Sequence, residues 1–410
     1  MKNKIITMFT KVVSKIKNKA VVLGTNYYVG LSIIRCLGRN DIHVVAVDYS
    51  EESRYGAKSK YLSEKYLAPH YKENPEGLLA FLIDYAKVQN KKPVLYPGAD
   101  PYVEFIDRYF DELKEYFLFP MDKKGLWTEV MDKYRMSLLA NKFNVKVPET
   151  INSKEDNLIE RVREEIKYPC IIKPMDSASF VKAYRRKVFI IKNEEELIQK
   201  LEMIHRDNHG IVIQRIIPGP EENCYCYDAY LNKDSKVTHY TSAYKIRQWP
   251  VNFGASTYAK QKWIPELQDI CKPFLEGIGF KGFSEIELKR DENTNEIYLI
   301  EVNVRTINFN EMLAKSGLNF PLIAYLEMTD KIPENKSVET ETGYVFHYMY
   351  EDLFAIREYL RTGQMTLSKI IKDNTFKKVH STWSFDDPMP GIYFVGTIIS
   401  KVFNRALKNK

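Results

Sequence analysis

Hydrophobic positions along the chain fall into short runs whose period changes from strand-like to helix-like and back. AVVLG at residues 20 to 24 is a continuous apolar run of strand length. LSIIRCL keeps helical spacing, and HVVAVD, ending at Asp48, is a second apolar run. Strand, helix and strand in that order predict a βαβ unit. PVLYPG and the helical pattern VEFIDRYFDEL then extend it to a parallel-sheet domain over about residues 20 to 118. Gly24 and Gly30 in its first turn do not have the GxGxxG spacing of a dinucleotide-binding loop. A tight strand-to-helix turn accounts for them.

From Lys123 to Phe143 the pattern is helical, with Lys133 inside it. A charged helix follows Pro148, and YPCIIKP is then a short apolar strand ending in Lys173 and Pro174. The loop MDSASFVKAYRRK leads to VFII, and GIVIQRIIPGPEEN carries a strand into Gln214 before Pro218-Gly219-Pro220 breaks it ahead of Glu221. GFSEIELKRDENTNEIYLIEVN reads as a hairpin with DENTN as its turn. On the return strand Glu301, Asn303 and Arg305 alternate, so they project from one face, near Glu285 and Glu287. Beyond residue 330, ETGYVFHYMYEDLFAIREYLRTGQ predicts a strand and a helix, and HSTWSFDDPMPG is turn-rich. His347 and His380 are lone histidines and read as structural.

An alternating polar row is ordinarily the solvated face of a sheet. Three carboxylates and a carboxamide on one face repel one another unless a cation sits among them, however, and an oxygen-only ligand set suits Mg²⁺ shared with nucleotide phosphates. A lysine ending a buried strand ordinarily snorkels to solvent. The hydroxyls of Ser177 and Ser179 and the basic Arg185, Arg186 and Lys187 that follow Lys173 suit phosphate better.

Composition narrows the classes. With 410 residues and 44% hydrophobic content the chain supports two or three packed domains. Five cysteines, without a second close pair or clustered histidines, argue against a zinc site or a disulfide framework and fit a reducing cytoplasm. The formal charge of +7 sits at the ends. Residues 1 to 19 hold six lysines and no acid, and residues 401 to 410 add Lys401, Arg405, Lys408 and Lys410. Removing those ten charges leaves the body at −3, so a nucleic-acid surface is a poor inference. No apolar run is long enough to span a bilayer, and the lysines of the first 19 residues leave no secretory signal core.

The order of the pieces resembles the ATP-grasp superfamily over about residues 120 to 330: a helix lysine, the strand lysine of IIKP, the hinge QRIIPGPE and the hairpin ending EVNVR. The resemblance is to carboxylate-amine ligases of the D-aspartate ligase type, whose lysine-arginine-aromatic-proline segment YKIRQWPVNFGAST also resembles. It implies an α/β chain with an ATP-grasp fold, two α+β subdomains clasping ATP, preceded by the Rossmann-like parallel-sheet domain. Implied boundaries are a basic amphipathic segment at 1–19, the pre-ATP-grasp domain at 20–118, the ATP-grasp domain at 119–330 with a lid at about 150–207, and a C-terminal extension at 331–410. By the same resemblance Lys133 and Lys173, with Ser177, Ser179 and Lys187, would hold ATP phosphates. Gln214, Arg215, Ile216 and Ile217 would hold adenine, and Glu221 the ribose. Glu287, Glu301 and Asn303 would ligate Mg²⁺, or Mn²⁺ in its place. The loop after Lys173 lacks the several glycines that many members carry.

The implied reaction is activation of a carboxylate as an acyl phosphate, followed by attack of an amine to give an amide or peptide bond. Arg305 faces the transferred phosphoryl group, and Arg305, with Lys245 or Arg247, stabilises the oxyanion. Expected partners are a small-molecule carboxylate and an amine, an amino acid among them. A bicarbonate-activating carboxylase and a non-catalytic nucleotide-binding module are the alternatives. In both ends of the chain apolar residues recur among the lysines, a pattern that fits either packing on the body or peripheral contact with an anionic membrane at the inner face.

Overall fold

The computed structural model describes residues 18–408 apart from Ser53, with only the backbone of Ser177, Ala178 and residues 401–408. All but the end of the expected N-terminal amphipathic segment lies outside the described residues. Strands Ala20–Leu23, Val44–Asp48, Glu64–Leu67 and Val94–Pro97 form a parallel sheet with Ala20–Leu23 between Val44–Asp48 and Val94–Pro97. The apolar runs lack alternation because helices cover both faces. Gly24 sits at φ +81°, and a Cβ there would come within 2.5 Å of the Tyr102 ring, so the turn requires glycine. Asp48 accepts from Thr25 Oγ1 at 2.6 Å and from Arg54 Nε at 2.6 Å, so the acid ending the second strand serves the fold.

Strands Thr150–Asn152, Cys170–Pro174, Phe189–Ile191 and Ile211–Arg215 make a separate antiparallel sheet. It packs its own core of Ile151, Val162, Phe180, Leu197 and Ile213. The lid therefore runs through Arg215, past the expected end near 207, because Ile211–Arg215 pairs between Thr150–Asn152 and Cys170–Pro174. The expected helix from Lys123 to Phe143 is two helices, Leu126–Met131 and Lys133–Lys142. Asp132 separates them and caps the second, accepting from Tyr134 N at 3.0 Å and Arg135 N at 2.8 Å.

The third sheet has eight strands. Its path runs from Ile297–Asn303 through Gly282–Arg290, Cys224–Leu231, Val237–Trp249 and Ala255–Gln261 to Tyr344–His347 and Lys377–His380, and Lys336–Ser337 pairs off this path with Val237–Trp249. The residues beyond 330 thus extend the central sheet. Two apolar clusters unite it with the parallel domain. One is centred on Leu23, Trp127, Phe274 and Leu299, the other on Leu31, Phe309, Phe320 and Phe346. Arg35, fully buried, ties them further, reaching Asp387 at 2.9 Å and Glu311 at 3.1 Å.

Candidate active site

The hairpin pairs as its alternation predicts. Glu287 stands opposite Glu301 and Glu285 opposite Asn303, with a bulge just after Glu287. Apolar partners fill the other face, where Ile286, Leu288, Leu299 and Val302 join the core. Asp228 lies opposite Glu285 on the next strand, so the row Asn303, Glu285 and Asp228 crosses three strands. Arg305 follows just beyond the strand end and pairs with Asp100 at 2.6 Å, the first residue of the helix Asp100–Arg108 in the parallel domain.

This face is one wall of a cleft of about 330 Å³ between the lid, the large sheet and the parallel domain. Seven basic residues line it, Lys133, Lys173, Lys187, Arg215, Lys245, Lys289 and Arg305, against the four acids Asp100, Glu285, Glu287 and Glu301. The excess of positive charge suits a polyanion. Lys133 opens its helix, at the positive end of the helix dipole. Lys173 ends the central lid strand and donates to Gln214 Oε1 at 2.6 Å; Gln214 Nε2 donates to Thr150 Oγ1 at 2.8 Å. Ile216 and Ile217 supply the apolar part of the wall, and Lys187 enters from the lid.

The electrostatics follow from burial. Burial pulls Lys173 down to about 8; Glu301 and Glu287 resist that fall, and Lys133 and Lys245 add to it. Lys187 is lowered by burial. For Lys245 burial is outweighed by Glu287, whose Oε2 is 2.7 Å from its ammonium, so this lysine stays charged. Burial and then Glu287 push Glu285 up to about 7, and it accepts from Asn303 Nδ2 at 2.8 Å. Asp228 is raised well above the carboxylate range by burial and by both glutamates. Burial acts upward on Glu301 too, but Lys133, Lys173 and Lys245 hold it below its ordinary value.

Two carboxylates and a carboxamide, Glu287, Glu301 and Asn303, therefore face the cleft together. Among the described residues no group of three or more His, Cys, Asp or Glu side chains is gathered for a metal ion. The donor set fits Mg²⁺ in the way that ion is ordinarily held in phosphate sites, by one or two carboxylates with substrate phosphates and water completing the shell.

Three expected site residues lie elsewhere. Arg247 is fully buried and grips Asp352 through two bonds of 2.8 Å and Asp373 at 3.2 Å, while stacking 4.2 Å over Tyr258. It fastens the C-terminal helices to the sheet and reaches no reacting group. Glu221 is buried outside the cleft lining and accepts from Asn252 N at 2.8 Å, Tyr359 OH at 2.7 Å and Gln248 Nε2 at 2.5 Å. Ser179 lies in the first turn of a helix, Ser177–Tyr184, that replaces the expected open loop, and Asp176 caps it, its Oδ1 accepting from the Ser179 N–H at 3.1 Å.

Other lining residues went unmarked in the sequence. Gln248 and the turn Asn252 to Ser256 form a wall, within the segment singled out as ligase-like. Gly254 lies so close to the Trp249 carbonyl carbon that a Cβ would approach it to 1.9 Å, so only glycine closes this turn. Lys289 and Asn308 also face the cleft. Asp100 was detectable only from sheet order: it follows Val94–Pro97, which flanks Ala20–Leu23 where the order reverses, and ligand crevices form beyond the strand ends at such points.

Residues 135–326 match the family model for the D-ala D-ala ligase C-terminus. The D-aspartate ligase of Enterococcus faecium (strain Aus0004) is 24% identical over 288 residues, covering 67% of this chain and 68% of that protein. A D-alanine–D-alanine ligase of Prochlorococcus marinus (strain NATL1A) is 25% identical over 192 residues, 42% of this chain and 53% of its own length. Among solved structures, N5-carboxyaminoimidazole synthetase from Staphylococcus aureus superposes with a TM-score of 0.60 at 16% identity, covering 80% of this chain and 81% of that one. The biotin carboxylase domain of the Hydrogenobacter thermophilus 2-oxoglutarate carboxylase, in complex with MgADP, ADP and bicarbonate, gives a TM-score of 0.61 at 16% identity, with coverages of 80% and 73%. At these identities the structural likeness is one of fold, and the expected fold class is borne out.

Proposed function

We propose, taking as premise the ATP-grasp fold that this chain has, that it is an ATP-dependent ligase joining a carboxylate to an amine. ADP and phosphate are released, and an amino acid is one of the substrates. The observation that carries this reading is the cleft itself. The pairing of Glu287 with Glu301 and of Asn303 with Glu285 is ringed by Lys133, Lys173, Lys245 and Arg305. The sequence likeness to D-aspartate ligase supports the amine acceptor over bicarbonate.

A carboxylate repels nucleophiles and has no leaving group, so activation requires transfer of a phosphoryl group to it. In this chain Lys133 and Lys173 would hold the triphosphate, and Gln214 to Ile217 would flank the base. Lys187 would close over the phosphates with the lid, excluding water from an activated acyl group. Glu287, Glu301 and Asn303 would hold Mg²⁺, which when bound neutralises phosphate charge. Lys245, paired with Glu287 at 2.7 Å in the cleft wall, would add a positive charge beside the developing negative charge. Arg305, held by Asp100 at 2.6 Å, lines the cleft and would stabilise the oxyanion as the amine attacks.

Incubation with MgATP and pooled amino acids should release ADP and phosphate, and hydroxylamine should divert the activated carboxylate into a hydroxamate. AMP with pyrophosphate as the stoichiometric products would overturn the mechanism. Turnover with bicarbonate and no amino acid would establish the carboxylase instead.

A further inference from the structure

The final helix, Met389–Lys408, is docked by one side only. Tyr393 and Phe394 pack on the body, with Phe394 5.3 Å from the Tyr55 ring and the Lys58 ammonium 4.9 Å over Tyr393. Met389, Ile392, Val395 and Ile399 recur at three- and four-residue steps on the other side and are 53%, 51%, 47% and 63% exposed. Phe385, 92% exposed, stands just before them. The exposed face of the helix Met349–Arg361 continues the patch. Its Leu353 is 64% exposed, and its Tyr350 ring lies 5.9 Å from Phe394. An apolar surface of this extent on a charged protein marks an interaction site.

The charge pattern says which kind. From Pro388 to the last residue the sequence contains no acid, and it holds Lys401, Arg405, Lys408 and Lys410. An apolar stripe on a helix that carries only positive charge complements an anionic lipid surface: the side chains enter the acyl boundary while the lysines meet headgroups. A second copy of this chain would instead bring those like charges together. No helix among the described residues is long and apolar enough to cross a membrane, so the contact would be peripheral.

We infer that the Met389–Lys408 helix, with Phe385 and Leu353, docks the protein flat on an anionic membrane. Glu351, in the first turn of the same Met349–Arg361 helix as Leu353, is among the charges acting on the cleft-lining Lys187. A bound protein would then present its active site close to the lipid surface, where a membrane-tethered acceptor amine would be met. The docking inference stands on the exposed helix and does not depend on the ligase reading.

The test is sedimentation of the full chain with phosphatidylcholine vesicles, with and without phosphatidylglycerol. Binding to the anionic vesicles at low salt is expected, weakened by high salt. Ile392→Glu and Ile399→Glu should each reduce it about tenfold, since each removes a buried branched side chain and adds a repelled charge. Both positions are exposed, so the variants should keep the thermal unfolding midpoint and ATP binding of the parent. Three results would overturn the inference. The full chain could ignore anionic vesicles. Its binding could be unchanged in both variants, which would assign it to the basic N-terminal segment. Lastly, the variants could abolish a concentration-dependent dimer while vesicles are ignored, which would make the face a contact between copies.

Discussion

Lys173 offers a test of the nucleotide site that needs no knowledge of the acceptor. Its ammonium ends a buried strand, meets the Gln214 side-chain oxygen at 2.6 Å, and titrates near 8 because burial disfavours its charge. A polyphosphate bound against it would favour the charged form, so binding and protonation are linked. Below about pH 8 the lysine is already charged and ATP affinity should be flat. Above it each pH unit leaves about a tenth as much of the competent form, and the dissociation constant should rise up to about tenfold per unit. At pH 8 binding should take up about half a proton, because half of the lysines are neutral beforehand. Titration calorimetry of MgATP in two buffers of different ionisation enthalpy measures that uptake directly. Lys173→Met should weaken binding at pH 7 and remove both the pH break and the proton uptake. The linkage acts on folding too. The folded pKa lies below the ordinary lysine value of 10.5, so the cost of the buried charge is fully present below pH 8 and is relieved as pH rises toward 10.5. An affinity that stays constant to pH 9.5, with no proton uptake, would refute the placement of Lys173 against phosphate.

Glu301→Gln should lower ADP formation by about a hundredfold or more while leaving circular dichroism unchanged, because one of two carboxylates facing the metal position is lost; undiminished turnover would remove the metal assignment. Arg247→Ala should destabilise the fold by about 3–5 kcal/mol, since it strands the buried Asp352 with Asp373 beside it. Chemical denaturation measures that loss, and among folded molecules the ATP dissociation constant should match that of the parent. A stable but inactive Arg247→Ala protein would return this arginine to the reaction.

The hairpin chemistry was legible in the sequence because a strand has one period. Once Glu301 and Asn303 alternate with Val302, and a short turn returns the chain to Glu285 and Glu287, register places the acids together without knowledge of anything distant. The parallel domain was legible for the same reason, each apolar run being a complete strand. Placement was hidden where a side chain's partner lies far along the chain. Arg247 sits in a segment that resembles a ligase motif, but its role is set by Asp352 and Asp373, more than a hundred residues later. Glu221 follows the hinge as a ribose ligand should, yet Tyr359 and Asn252 reach it first. For Ser179 the cause is local: a loop without glycine closes into a helix capped by Asp176, whose carboxylate takes the Ser179 backbone N–H.

Two of the three strands contributed from beyond residue 330 bear on how the protein is made. Ala255–Gln261, whose residues Ala255 and Ser256 line the cleft, finds its outer neighbour only at Tyr344–His347, and that strand is covered in turn by Lys377–His380. During synthesis the central sheet therefore waits with that edge open while more than eighty further residues leave the ribosome. The lid, whose four strands end at Arg215, has all its pairing partners long before. The nascent chain is at its most vulnerable to pairing with another copy in that interval. Slow stretches of translation placed between residues 261 and 344 would lengthen the exposure, and a chaperone that masks strand edges would act there.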